Sequence, residues 1–238
     1  DSPSTELGTL SLRALPLMLG ADGRTLFVVH ADELTMFSTD KAQRDRSWSP
    51  FKQLITTAAI SPDASGCLVA TDDGRIHRLT FSEDEEQIST WRAHHRQQEA
   101  RSIAWLAGGD VSATLHGKGL IRLWNVEAGQ QIAEFIVNYS TIHSISTAGD
   151  VLMLAAACDD GRLRIWQRPG NLQPITLQSS VEAHSVGFAG PRDLVIGGNG
   201  QVQFWDTSNA TFDNRSSGGS SNDLRAIAFS PSRDRIAT

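Results

Sequence analysis

The sequence is poor in cysteine: only Cys67 and Cys158 occur in 238 residues. Both lie in apolar, strand-like runs, "CLVAT" and "LMLAAAC". They read as buried free thiols, since two thiols make neither a disulfide framework nor a zinc site. No apolar run reaches the ~18 residues that a membrane-spanning helix needs, so membrane insertion is not expected. No secretory leader is visible, although the chain opens on Asp1 and not on Met, which leaves that observation little weight. The Asn-X-Ser/Thr matches at Asn138, Asn209 and Asn214 therefore read as chance. A net charge of −6 provides no global field for a phosphate backbone, so nucleic acid is not an expected partner. The local basic run from Trp91 to Arg101 reads as a solvated loop. GxSxG, HExxH, CxxC and P-loop patterns are all missing. From these absences we expect no catalytic residues, no cofactor, no metal and no enzyme activity.

What the chain does contain is a period. Phe37, Leu79, Trp124, Trp166 and Trp205 occupy one bulky slot. Three residues before each stand Leu34, Ile76, Ile121, Leu163 and Val202, and five before stand Asp32, Gly74, Gly119, Gly161 and Gly200. A second marker runs in parallel: Leu19, Ile60, Trp105, Ile145, Phe188 and Phe229 each close a short apolar run ahead of a polar turn. Each unit parses as a first strand such as "RSIAW", a turn, a small-residue second strand, a hairpin turn ("DDG" in two units), a third strand carrying the slot, and a variable fourth strand. Asp-Gly is expected to supply the positive φ angles of two-residue hairpins. Four short strands per ~40 residues is the cue for β-propeller blades, whose faces are covered by their neighbours and so demand a large plug at a fixed place.

The phrases "GLIRLWN", "GRLRIWQ" and "GQVQFWD" resemble the third strand of WD-repeat β-propellers, and "TTAAISPD" and "RAIAFSP" resemble the first strand and turn of that family. The resemblance spans Leu10 to Thr238. It implies an all-β, WD-repeat β-propeller in a single domain over 1–238. The blade cores fall near 14–51, 55–91, 100–137, 141–178 and 183–212, with a partial sixth at 224–238. It also implies seven blades in the complete ring, with 1–10 as the candidate ring-closing strand. Ser208–Asp223 reads as a long flexible loop, and the acidic run Ser82–Gln87 as a solvated hairpin tip. In the family a Trp, a Ser or Thr, a turn Asp and a loop His form a hydrogen-bonded network. Here Asp73 and Asp160 fill the Asp place, His94 the His place, and Thr71 stands two residues before Asp73, but no unit has all four. Blade stability should then rest mainly on apolar packing.

Propellers present rigid rings of loops, and loops held on rigid scaffolds carry binding. Residues just before the hairpin Asp, and those at first-strand starts, should share one end face: Asp72, Asp159, Arg101, His184 and Arg225, joined by His94 and His95. The expected function is a non-catalytic scaffold that binds a protein or peptide there, in the cytoplasm or nucleus. The alternative is a sensor or regulatory region of a larger signalling protein or NTPase whose catalytic part lies outside this chain, with other domains of the same polypeptide as partners. His143, in "TIHSI", also lies near a first-strand start, where a satisfied or solvent-facing role is expected.

Overall fold

The computed structural model describes residues 15–19, 24–38, 43–81, 87–93, 99–106, 108–137, 141–148, 153–167, 173–179, 181–209, 211–218, 227–229 and 236–237. The candidate closing strand 1–10, the acidic run at 82–86, His94, His95 and Arg225 lie outside the described residues. The chain divides into two compact units, Asp1–Ala100 and Arg101–Thr238.

The first unit holds two four-stranded antiparallel sheets. One is β1 (Leu15–Leu19), β2 (Thr25–His30), β3 (Glu33–Ser38) and β4 (Gln43–Trp48), in that order across the sheet. The other is β5 (Ile55–Ile60), β6 (Gly66–Thr71), β7 (Arg75–Thr80) and β8 (Gln87–Arg92). Phe27, Val29 and Leu34 of the first sheet pack with Cys67, Val69 and Leu79 of the second in one buried cluster. Trp48 and Phe81 stack beside it at 5.0 Å between ring centres.

In the second unit the sheets are β9 (Ala100–Trp105) to β12 (Gln130–Ile136), β13 (Ile142–Thr147) to β16 (Ile175–Gln178), and β17 (Ser185–Phe188) to β20 (Thr211–Gly218). Their middle strands are β10 (Val111–His116), β11 (Leu120–Asn125), β14 (Met153–Cys158), β15 (Arg162–Gln167), β18 (Asp193–Gly198) and β19 (Gln201–Asp206). A two-stranded sheet, β21 (Ala228–Phe229) with β22 (Ile236–Ala237), follows. Among the described residues one 3₁₀ turn, Gly117–Gly119, is the sole helical element.

The plug behaves as the repeat requires. Trp166 of the fourth sheet lies in a cluster with Leu115, Ile121 and Leu123 of the third. Trp205 of the fifth lies in a cluster with Ala155, Leu163 and Ile165 of the fourth. The Trp166 and Trp205 slots therefore pack with the preceding sheet. Second strands are buried on both faces, β6 and β14 throughout, which explains why "GCLVAT" and "MLAAAC" show no polar alternation. Cys67 and Cys158 are both buried and form no disulfide, and burial pushes the Cys67 thiol far above its ordinary value.

Three sequence expectations change. First, Ser208–Asp223 is not simply a loop, because Thr211–Gly218 forms β20, paired with β19 through a bulge between Gln203 and Phe204. An edge strand needs only backbone partners on one side, so a polar sequence serves. The fifth blade thus extends past residue 212. Second, the "DDG" turns are three-residue loops and not primed two-residue turns. Gly74 N donates to Thr71 O at 3.0 Å, and Gly74 has φ +80° while Asp73 stays negative. Asn199 and Gly200, at φ +46° and +71°, do form the fully primed turn. Third, the first-strand marker slips by two residues in the fourth sheet. The backbone bonds Leu106 N to Val111 O, Ala148 N to Met153 O and Ala189 N to Asp193 O align Trp105, Thr147 and Phe188, so the aligned residue is Thr147 and not Ile145.

Candidate functional site

Counting back four residues from each aligned position gives Arg101, His143 and His184, spaced 42 and 41 residues apart. All three sit at the start of a first strand in the second unit. First strands of successive sheets lie side by side: Thr147 Oγ1 donates to Trp105 O, and Phe188 N donates to Ser146 Oγ at 3.3 Å. Equivalent side chains on neighbouring strands are thereby brought face to face. The His143 and His184 rings lie 5.1 Å apart, centre to centre, tilted by 52°. Arg101 and His143 are exposed, and the His184 side chain is about a quarter exposed. By the same count Arg225 holds the matching place in the sequence.

The hairpin turns supply the second layer. Asp159 N donates to Thr141 O at 2.9 Å, while its Oδ1 accepts from Thr141 N at 2.9 Å. The turn of the fourth sheet is thus clipped to the start of β13. In the fifth sheet His184 N donates to Gly197 O at 2.9 Å. Glu182 Oε1 lies 3.8 Å from His184 Nε2. Gly198 makes this approach possible: a Cβ there would sit 1.7 Å from Glu182 O. In the first unit Asp72 N bonds Leu54 O at 2.9 Å, so Asp72 also abuts a first-strand start. The structure thus brings Asp159, His184 and the start of β13 to one end of the second unit, and places Asp72 at the corresponding position of the first. Among the described residues no three His, Cys, Asp or Glu side chains are grouped to hold a metal ion.

His143 and Glu182 were not among the expected binding residues. The four-residue count from a correctly aligned marker would have found His143. Glu182 has no periodic signal, because it contributes through the local geometry at Gly198.

Behind the end face lie polar lines that partly replace the family network. In the third sheet the Trp124 indole N–H donates to Thr114 Oγ1 at 2.8 Å, and His116 Nε2 meets the same oxygen at 2.7 Å. That imidazole comes from the second strand and not from a loop. In the second sheet Thr71 Oγ1 donates to Asp73 Oδ1 at 2.7 Å and contacts His77 Nε2 at 3.2 Å, and His77 Nδ1 meets Thr90 Oγ1 at 2.9 Å. Burial holds His77 below its ordinary value of 6.5, partly opposed by Asp73. In the fourth sheet Arg164 binds Asp160 with two parallel bonds of 3.1 and 2.6 Å, and these hold the Asp160 carboxyl below its ordinary range. His77, Arg164 and Gln203 stand two residues before their slots, as does Arg122, which pairs with Glu134 at 2.7 Å. That position carries the polar cross-links between strands.

The fold defines the class: a β-propeller chain of four-stranded blades. The family model of the WD domain, G-beta repeat, matches residues 129–167, the fourth strand of one sheet through the third strand of the next. One repeat of the chain thus matches the WD family, and the blade fold around it is that of WD-repeat propellers. It is similar to cilia- and flagella-associated protein 52 of Sus scrofa, 24% identical over 181 residues that make up 71% of this chain and 28% of that protein. It is likewise similar to the pre-rRNA-processing protein IPI3 of Mycosarcoma maydis, 24% identical over 183 residues, 74% of this chain and 30% of that protein. The chain therefore spans less than a third of the length of these relatives. Among solved structures, that of U3-55K covers 87% of this chain and 64% of its own, with a TM-score of 0.72 at 16% identity. The crystal structure of the RRP9 WD40 repeats agrees to the same extent. Repeats of this family generally mediate protein–protein interaction. Among the described residues no helix is long and apolar enough to cross a membrane.

Proposed function

We propose that the chain is a non-catalytic interaction module that binds a protein or peptide partner on the end of the blades where the first strands begin. Arg101, His143, His184 and Asp159 form the contact surface in the second unit. Asp72 is its counterpart in the first unit. Arg225 belongs to the same sequence register, and His94 and His95 remain candidates from the sequence. The observation that carries this reading is the row of polar side chains one repeat apart on packed inner strands, with the adjoining turn clipped in place by Asp159. Side chains held on rigid strands lose little entropy on binding.

A photo-crosslinking amino acid placed at Arg101 or His184 tests it, with Ile175 on the fourth strand β16 as the control position. Partner crosslinks should form from each of the two end-face positions and disappear when the other two of Arg101, His143 and His184 are replaced by alanine. Equal crosslinking from Ile175, or none from the end face, counts against the reading.

The share of the relatives' length favours one further reading: this module serves as the sensor or regulatory region of a larger protein, its partner being another domain of that polypeptide. The gene product's full sequence decides, since an NTPase, kinase or protease domain beside the blades supports it.

A further inference from the structure

We propose that Arg75 and Arg92, on the outer strands of the second sheet, form a recognition site for a carboxylate side chain in an acidic segment of a partner protein. The two residues stand directly opposite each other on β7 and β8. Their side chains therefore leave the same face, with Cβ atoms roughly 5 Å apart. Like charges in that position oppose strand pairing. The other third-strand arginines avoid it: Arg78 stands opposite Ser89, Arg122 opposite Glu134, Arg162 opposite Gln178 and Arg164 opposite Thr176. The arginine pair cannot relax by a slip of register, because β8 is pinned on both sides of Arg92. His77 Nδ1 meets Thr90 Oγ1 at 2.9 Å on one side, and Ala93 N donates to Gly74 O at 3.0 Å on the other.

The local charges select the ligand. Asp73 already serves the first arginine: its Oδ2 lies 3.2 Å from Arg75 Nη1, and its Oδ1 accepts from Thr71 Oγ1 at 2.7 Å and from Arg75 N at 3.3 Å. Arg92 is exposed, and among the described residues no carboxylate pairs with it. Two guanidiniums against one carboxylate leave one positive charge, which a single added carboxylate balances. Arginine holds such a group with charge-assisted bonds of fixed geometry. A phosphate group, with a charge of about −2, would exceed that surplus and lie beside Asp73. The surplus is local, since the chain as a whole carries −6. Both arginines belong to the first unit, and carboxylate binding there does not rest on the end-face reading above.

The test is fluorescence anisotropy of the intact chain with a fluorescein-labelled octapeptide of alternating glutamate and alanine, run beside its glutamine and phosphoserine counterparts. The glutamate peptide should bind saturably and the glutamine peptide should not. Arg75→Gln and Arg92→Gln should each weaken binding about tenfold, the loss of one charge-assisted bond. Arg78→Gln removes the same charge from the opposite face of β7 and should change binding by about twofold or less. Without peptide, Arg92→Glu should raise the melting midpoint by about 2 °C, because a cross-strand ion pair replaces the repulsion. Tighter binding of the phosphoserine peptide, equal losses in all three glutamine variants, or no saturable binding of the glutamate peptide overturns the proposal, as does a lower midpoint in Arg92→Glu.

Discussion

Replacing Thr114 by Val keeps the side-chain volume and removes one oxygen. That oxygen is fully buried and accepts the Trp124 indole N–H at 2.8 Å while meeting His116 Nε2 at 2.7 Å. Two net hydrogen bonds are worth about 1 kcal/mol each, and stranding a buried indole donor costs about 1 kcal/mol more. The added methyl returns about 0.8 kcal/mol through burial. A net loss of about 2 kcal/mol is expected, which at a slope of about 2 kcal/mol/M moves the urea midpoint down by about 1 M. Ser112 provides the control. It lies on the same strand, is equally buried, and its hydroxyl finds no protein partner. Ser112→Ala should change the midpoint by about 0.2 M or less. Unfolding followed by circular dichroism distinguishes the two. Equal losses in both variants, or no loss in Thr114→Val, would show that the Trp–Thr–His line adds nothing to the third blade.

Stability of the first unit should fall on acidification because the folded state resists protonation of His77. Its value is held below 6.5 by burial, so the unfolded chain binds the proton more readily. The contribution is complete above pH 6.5 and is lost as pH drops through the folded value; a His77→Gln variant should show a flatter profile in thermal melts between pH 7 and 5. Asp160→Asn should cost about 1–2 kcal/mol at pH 7 by breaking the paired bonds to Arg164. In the parent this contribution is present above pH 3.8 and disappears as the carboxyl titrates in the folded chain, so parent and variant melts should converge in acid. Gly198→Ala must push the Glu182 backbone away. About 2 kcal/mol or more of destabilisation is expected, together with broadened His184 ring signals in NMR spectra.

The blade architecture was legible because a physical demand repeats. Sheet after sheet needs a bulky plug at one place, and Trp124, Trp166 and Trp205 announce it at a near-constant interval. Strand order followed from the turns between runs. The fourth strand of the fifth blade was not legible, since an edge strand of polar residues carries no burial pattern. The turn type at Asp73–Gly74 is not legible either: the dipeptide fits both a two-residue turn and the end of a three-residue loop, and only register decides. The positions of Asp159 and His184 beside turns and first-strand starts were legible from the repeat. His143 stands out less in the sequence, because the apolar marker Ile145 is two residues out of step with the structurally aligned Thr147. Glu182 depends on how closely Gly198 lets another backbone approach, and sequence spacing does not encode that distance.

Hydrogen–deuterium exchange by mass spectrometry on the intact chain tests the repeat register most directly. Slow amides should appear in β6–β7, β10–β11, β14–β15 and β18–β19, about 40 residues apart, with faster exchange in β8, β12, β16 and β20. Protection concentrated in those fourth strands, or slow segments that do not recur at that interval, would contradict the blade assignment and the end-face site built on it.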